Sequence, residues 1–327
     1  MNKETTNTDL GKIKAARLLV FDFDGNLANT FVPSPNGTCV ESAYNYALNW
    51  IFGNEFFHRR PPLDVIGGLQ SRAPSEIIMA LLEKIPRAKF IDHARQFVTR
   101  NALILKEVVP DDQASLITDF ELHEGIPQTI LIERLAELLV RTKLVFLLNE
   151  INKEWPLPFP GVVDFFEQLA RAQKNGSEIQ TAILSSGHTR FIQKWFQVFE
   201  LSLPQIMVTD DDLRGLAEPA DPKQRMKPSP FLMDLVHLRW LEVLGISRGE
   251  QELSKYYLPA CRAKTIYFGD DTTQDLQLAI NSGVEFCWFS PNSGRAETNP
   301  RRVVFTRFSD WQGLGKIILN QEETEAS

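Results

Sequence analysis

The run Arg17-Leu18-Leu19-Val20-Phe21-Asp22-Phe23-Asp24-Gly25-Asn26-Leu27 restricts the possible folds more than any other stretch of the chain. Its apolar residues are few and continuous, which is the mark of a strand buried on both faces of a parallel sheet. Two carboxylates stand where the strand ends, and Gly25 permits a sharp turn after them. Asp22 and Asp24 are two residues apart, so an extended backbone projects both to one side. Acids placed like this repel unless a cation relieves them or one works as an acid beside the other. Open α/β sheets bind their ligands beyond the C-terminal ends of the strands, so chemistry is expected here.

Two further strands are expected to end in polar clusters. Thr181-Ala182-Ile183-Leu184 stops at Ser185-Ser186-Gly187, and Thr265-Ile266-Tyr267-Phe268 stops at Gly269-Asp270. Parallel strands align their C-terminal ends, so the three clusters should converge on one cleft. Ser185, followed by Ser186 and Gly187, stands at the start of the next helix, where a hydroxyl and backbone N–H groups can face an anion. It suits a plain helix N-cap equally well. His188 has two readings, a ring that leans over the pocket and, the commoner one, a solvent-exposed residue in the first helical turn. Lys227-Pro228-Ser229-Pro230 places an ammonium ahead of a helix that Pro230 would begin, with Lys223 and Arg225 as nearby rivals.

Between these landmarks the periodicity changes. Residues 29–38 are rich in Pro, Asn, Gly and Ser and read as a loop. Helical spacing follows from Val40 (Tyr44, Ala47, Leu48, Ile51), is broken at Arg59-Arg60-Pro61-Pro62, and recurs over 75–82, 90–108 and 129–151. No alternating strand pattern interrupts it. The alternating prolines of Trp155–Gly161 make a stiff extended connection. Beyond it, helices are expected over 162–176, 191–199, 230–244 and 276–281, the last capped by Gly283. Short strands are expected at 204–208 and 285–289, the second closing the sheet. Residues 210–226 read as a loop, and 311–319 as a final helix. The predicted fold is α/β, a doubly wound parallel sheet with an inserted all-helical domain. Residues 1–15 are expected to form a disordered leader, 16–30 and 156–327 the core, and 31–155 the insert.

The motif DFDGNL at 22–27, followed in order by Ser185, by KPSP at 227–230 and by GDDTTQD at 269–275, resembles the haloacid dehalogenase superfamily. The resemblance extends from about Leu18 to Phe289 and implies a C1-type helical cap for the insert. It implies that Asp22 is a nucleophile and Asp24 a general acid and base, with Ser185 and Lys227 holding phosphate. It further implies Mg²⁺ held by Asp22, by the backbone carbonyl of Asp24 and by Asp270, with Asp275 supporting the site and Asp271 as a competing ligand. Asn26 and Asn29 depart from the usual residues at their positions. An acid at the position of Asp24 favours phosphate esters, since dehalogenases and phosphonate-cleaving members lack it. Ile66–Arg72 is similar to the specificity loop of phosphoglycolate phosphatases and β-phosphoglucomutases, which makes Arg72 a candidate contact for a second anionic group.

The implied activity is Mg²⁺-dependent hydrolysis of a small phosphorylated metabolite through an aspartyl-phosphate. A phosphomutase and a non-catalytic binding protein are the alternatives. A net charge of −7 gives no general basic surface for nucleic acid or anionic membranes. No apolar run approaches a membrane span, the N-terminus has no signal-peptide pattern, and the three scattered cysteines fit reduced thiols in a cytoplasm.

Overall fold

The computed structural model describes residues 17–31, 37–68, 73–108, 122–213, 222–291, 305–315 and 318. The predicted leader and Arg72 lie outside the described residues. The chain divides into two compact units, one comprising the residues up to Asn29 together with those from Leu157 onward, the other Thr30–Pro156.

The first unit is built on β1 (Arg17–Phe21), β2 (Ile179–Leu184), β3 (Ile206–Val208), β4 (Thr265–Gly269), β5 (Glu285–Phe289) and β6 (Phe305–Phe308). All five neighbouring pairs are parallel, in the order β3-β2-β1-β4-β5-β6. The chain steps outward from β1 to β3, returns to β4 beside β1, and steps outward the other way. The crevice for ligands in such a sheet lies at this reversal, beyond the ends of β1 and β4.

Burial on both faces explains the unbroken apolar strands. Leu18 and Val20 join one layer with Met233, Val236 and Trp240 of a helix over Pro230–Val243. Phe21 points the other way, to Phe165 and Phe166 of the helix Val162–Lys174 and to Trp311. Beyond β1, Phe23 meets Phe191 and Trp195 of the helix Thr189–Val198 edge-on, at 5.9 and 5.1 Å between ring centres. Aromatic packing therefore anchors the turn that carries Asp22 and Asp24.

In the second unit, every regular element among the described residues is a helix: Cys39–Phe52, Pro62–Val65, Pro74–Leu82, Arg87–Glu107 and Gln128–Ile151. Thr38 and Glu41 form a reciprocal capping box at the first of these. The predicted stripe Tyr44, Ala47, Leu48 and Ile51 is buried, as are Ile77, Ile78 and Leu81. The longest helix packs against the Cys39–Phe52, Pro74–Leu82 and Arg87–Glu107 helices, which explains the apolar residues all round its middle.

The chain leaves and rejoins the sheet unit at adjacent points. Asn29 N–H donates to Leu157 O at 2.9 Å, Phe159 N–H donates to Leu27 O at 2.9 Å, and Ala28 bridges Pro158.

Two expectations fail. The sheet does not close at β5, because Phe305–Phe308 adds a sixth strand alongside it. The segment 210–226 is not wholly loop: Asp210–Leu213 forms a helical turn and Pro222–Arg225 a 3₁₀ turn. Three successive acids at a helix start are favoured by the helix dipole, a local stabilisation that a charge-rich reading overlooks.

Candidate active site

Lys227 is the hub of the polar cluster at the C-terminal edge. It lies two residues before Ser229, whose hydroxyl caps the Pro230–Val243 helix by accepting from Phe231 N–H. Its Nζ stands 2.7 Å from Asp22 Oδ1 and 2.8 Å from Asp275 Oδ1. Tyr267 O–H donates to the same Asp275 oxygen at 2.7 Å, and Asp271 N–H reaches the other at 3.2 Å. Asp275 opens the helix Asp275–Ser282, which Gly283 ends in the left-handed region. Gly269 is required here by space: a Cβ on it would lie 2.5 Å from Asp275 Oδ2.

Carboxylate oxygens of Asp22, Asp270 and Asp275 lie within 4.8 Å of one another. Three acids thus share one ammonium. Burial raises the Asp22 carboxyl well above the usual range; Lys227 opposes the rise, and Asp275 and Asp270 add to it. Burial and the charge of Asp275 push Asp270 up to about 7, against Lys227. Burial alone would lower Lys227, but Asp22 and Asp275 outweigh it and hold the ammonium above its ordinary value. The donors are hard oxygens carrying excess negative charge, which is the ligand chemistry that Mg²⁺ requires.

Ser185 is buried at the end of β2. Its Oγ accepts from Gly187 N–H at 2.9 Å, a bond that leaves the hydroxyl hydrogen available to another acceptor. A Cβ on Gly187 would stand 3.1 Å from Ser185 Oγ and 3.4 Å from Asp24 Oδ2, so the second acid of the first motif lies beside this loop. Ser186 is exposed.

His188 departs from expectation. It is buried rather than exposed, and its Nδ1 lies 3.1 Å from Asp211 Oδ1. Asp211 Oδ2 also accepts from Thr189 N–H at 2.8 Å, so the start of the helix is capped from the turn after β3. That tertiary partner has no local signature.

Asp271, the competing ligand, is absent from the carboxylate cluster. Its Oδ1 accepts from the hydroxyl and N–H of Thr273 and from Gln274 N–H. These bonds outweigh its partial burial and lower its carboxyl from the ordinary value. Asp275, expected as support, lies against Lys227 and also within the carboxylate cluster.

Tyr267 has no signal in the sequence: it reads as plain strand core, and only the fold reveals that its hydroxyl reaches Asp275. Asn26 reads as a departure able to alter the turn. It is fully buried, and its Nδ2 donates to Asp22 O at 2.9 Å and to Phe268 O at 3.2 Å, tying the end of β1 to the end of β4.

Fold and site together define a doubly wound parallel α/β protein with an inserted helical unit and a lysine-bridged carboxylate cluster at its switch point. No family model and no curated protein matches the sequence. Among solved structures, the chain is similar to a 2-haloacid dehalogenase from Pseudomonas syringae pv. Tomato, at 15% identity and TM-score 0.45 over 94% of this chain and 99% of that one. It is similar to CbbY from Rhodobacter sphaeroides in complex with phosphate, at 15% identity and TM-score 0.45 over 92% and 96% of the respective chains. It is also similar to a HAD phosphatase from Thermococcus onnurineus, at 16% identity and TM-score 0.37 over 92% and 97%.

Proposed function

We propose that the chain is a Mg²⁺-dependent phosphomonoester hydrolase of the haloacid dehalogenase type, acting on a small phosphorylated metabolite. One observation carries this reading: Lys227 bridges Asp22 and Asp275 within a carboxylate cluster at the switch point of the sheet. A buried lysine bonded to two acids with a third close by, at the strand edge where such sheets bind ligands, is suited to hold a cation and a phosphoryl group.

In this reading Lys227 holds Asp22 by Oδ1, leaving the other carboxylate oxygen to attack phosphorus and form the aspartyl-phosphate. Asp24 protonates the leaving oxygen, and then takes the proton of the water that cleaves the intermediate. Ser185 donates its hydroxyl to a phosphoryl oxygen. Asp275 and Tyr267 keep the ammonium in place. Asp22, the carbonyl of Asp24 and Asp270 would hold Mg²⁺, which when bound neutralises charge and aligns the phosphoryl group. Arg72 is proposed to read a second anionic group of the substrate. The three cysteines Cys39, Cys261 and Cys287 are buried free thiols, which supports a reducing, cytoplasmic location. Among the described residues no helix is long and apolar enough to cross a membrane.

The test is phosphate release from a panel of small phosphorylated metabolites with MgCl₂, comparing the wild type with Asp22→Asn. Turnover is expected to fall by about a thousandfold or more in the variant. Equal turnover removes Asp22 as nucleophile. Isomerisation that depends on an added bisphosphate, with no phosphate released, would replace hydrolysis by phosphomutase activity.

A further inference from the structure

The loop carrying Asp270 is held by a strand outside it. Trp288 Nε1–H donates to the backbone carbonyl of Asp270 at 2.9 Å. Trp288 lies on β5, in register with Gly269 of β4 on one side and with Arg307 of β6 on the other. The Arg307 guanidinium carbon sits 4.4 Å from the centre of the indole ring, and its Nη2 donates to Ser290 Oγ at 3.1 Å. Ser290 N–H in turn donates to Phe308 O, extending the strand pairing past the arginine. The contacts therefore run in one line, from β6 through the indole to the peptide of Asp270.

We propose that Trp288, braced by Arg307, is a positioning residue for the cation site, fixing the Asp270 peptide so that its carboxylate stays turned toward Asp22. The physical need is plain. Asp270 follows Gly269, a residue without a side chain to pack, and it faces Asp22 and Asp275 across less than 4.8 Å. Like charges that close would swing the loop outward into water unless its backbone were tethered. A hydrogen bond to the carbonyl supplies the tether without itself consuming a carboxylate oxygen. The cation–π contact resists tilting of the indole, and strand pairing sets its height. The role is the one expected of groups behind a metal site: they orient a ligand without touching the ion. This inference rests on the metal reading given above.

Isothermal titration of MgCl₂ into the full chain tests it without any substrate. Trp288→Phe keeps an aromatic ring beneath Arg307 and loses only the N–H donor. Its apparent Kd for Mg²⁺ is expected to weaken about fivefold to tenfold, with the melting temperature within about 5 °C of wild type. Arg307→Met is expected to weaken binding in the same direction but less. Unchanged Mg²⁺ affinity in Trp288→Phe, within about twofold, overturns the positioning role, whatever happens to the melting temperature. Absence of binding in the wild type overturns the metal reading and this proposal together. Wild-type binding with an unaffected variant overturns this proposal alone.

Discussion

At position 187 a methyl group would fit only tightly. Ser185 Oγ and Asp24 Oδ2 close in on the space that a methyl group would need, and neither is the loose end of a long side chain. Gly187→Ala should therefore leave the fold intact and move one of the two reacting groups by a few tenths of an ångström. Phosphate release is expected to fall by about tenfold, since small misplacements at a reacting centre are costly. Urea denaturation should show stability within about 1 kcal/mol of wild type. A fully active variant would mean that Ser185 and Asp24 need not stand so close. Asn26 illustrates the opposite economy. It takes up a position where the resembling motifs carry Thr or Val, and uses its amide to join the ends of β1 and β4.

Between elements, the Pro230–Val243 helix meets β4 through a buried histidine. His237 Nε2 lies 2.9 Å from Thr265 Oγ1, whose hydroxyl donates to Cys261 O at 2.8 Å. Thr265 must then accept from a neutral imidazole protonated at Nε2. Burial, with the Arg262 charge nearby, lowers His237 from 6.5 to about 3. Between those two values the unfolded chain binds a proton that the folded chain refuses. The histidine's own contribution to stability is thus complete above pH 6.5 and declines as the pH falls, by about 1.4 kcal/mol per unit, opposite in sign to that of the raised carboxyls of Asp22 and Asp270. His237→Gln keeps a donor for Thr265 and removes the titration. The difference in urea-unfolding free energy between the variant and wild type is expected to move in the variant's favour as the pH falls from 6.5 to 4.5, and a constant difference would reject this account. The elements themselves were legible where burial is uniform. The run Leu18–Phe21 and the stripes at 44–51 and 77–81 have one solution each, because their apolar periodicity matches one backbone period. The strand Phe305–Phe308 was not legible, since four residues are too few to measure a period. Nor were the Trp288 and Tyr267 links, in which strand residues acquire their polar partners only when distant segments assemble. Asp22, Ser185 and Asp270 could be placed at one edge because strand ends align, whereas Lys227 follows no strand and was placed by the motif resemblance alone. The burial of His188 could not be foreseen, because its partner Asp211 arrives from the helical turn after β3.

Over the whole chain, the division into a sheet unit and a helical unit makes a prediction about independence. The sheet unit has its own apolar layer, from Leu18 and Val20 through Trp240 to Phe286, drawn from that unit alone. Replacing residues 30–156 by a short Gly/Ser linker should leave a protein that unfolds in one cooperative transition and gives dispersed amide signals by NMR. A molten product would show that the sheet unit depends on the helices. The reason to expect success lies in the hydrogen bonds between Asn29 and Leu157 and between Phe159 and Leu27. A flexible excursion of that length would carry an extra closure entropy of about 3 kcal/mol relative to a tight turn. Here the two ends are fastened together at the base, and a separately packed passenger keeps its own termini near each other. Such a socket tolerates exchange of what it carries, so differently sized helical modules could be spliced at this seam without disturbing the strands beneath.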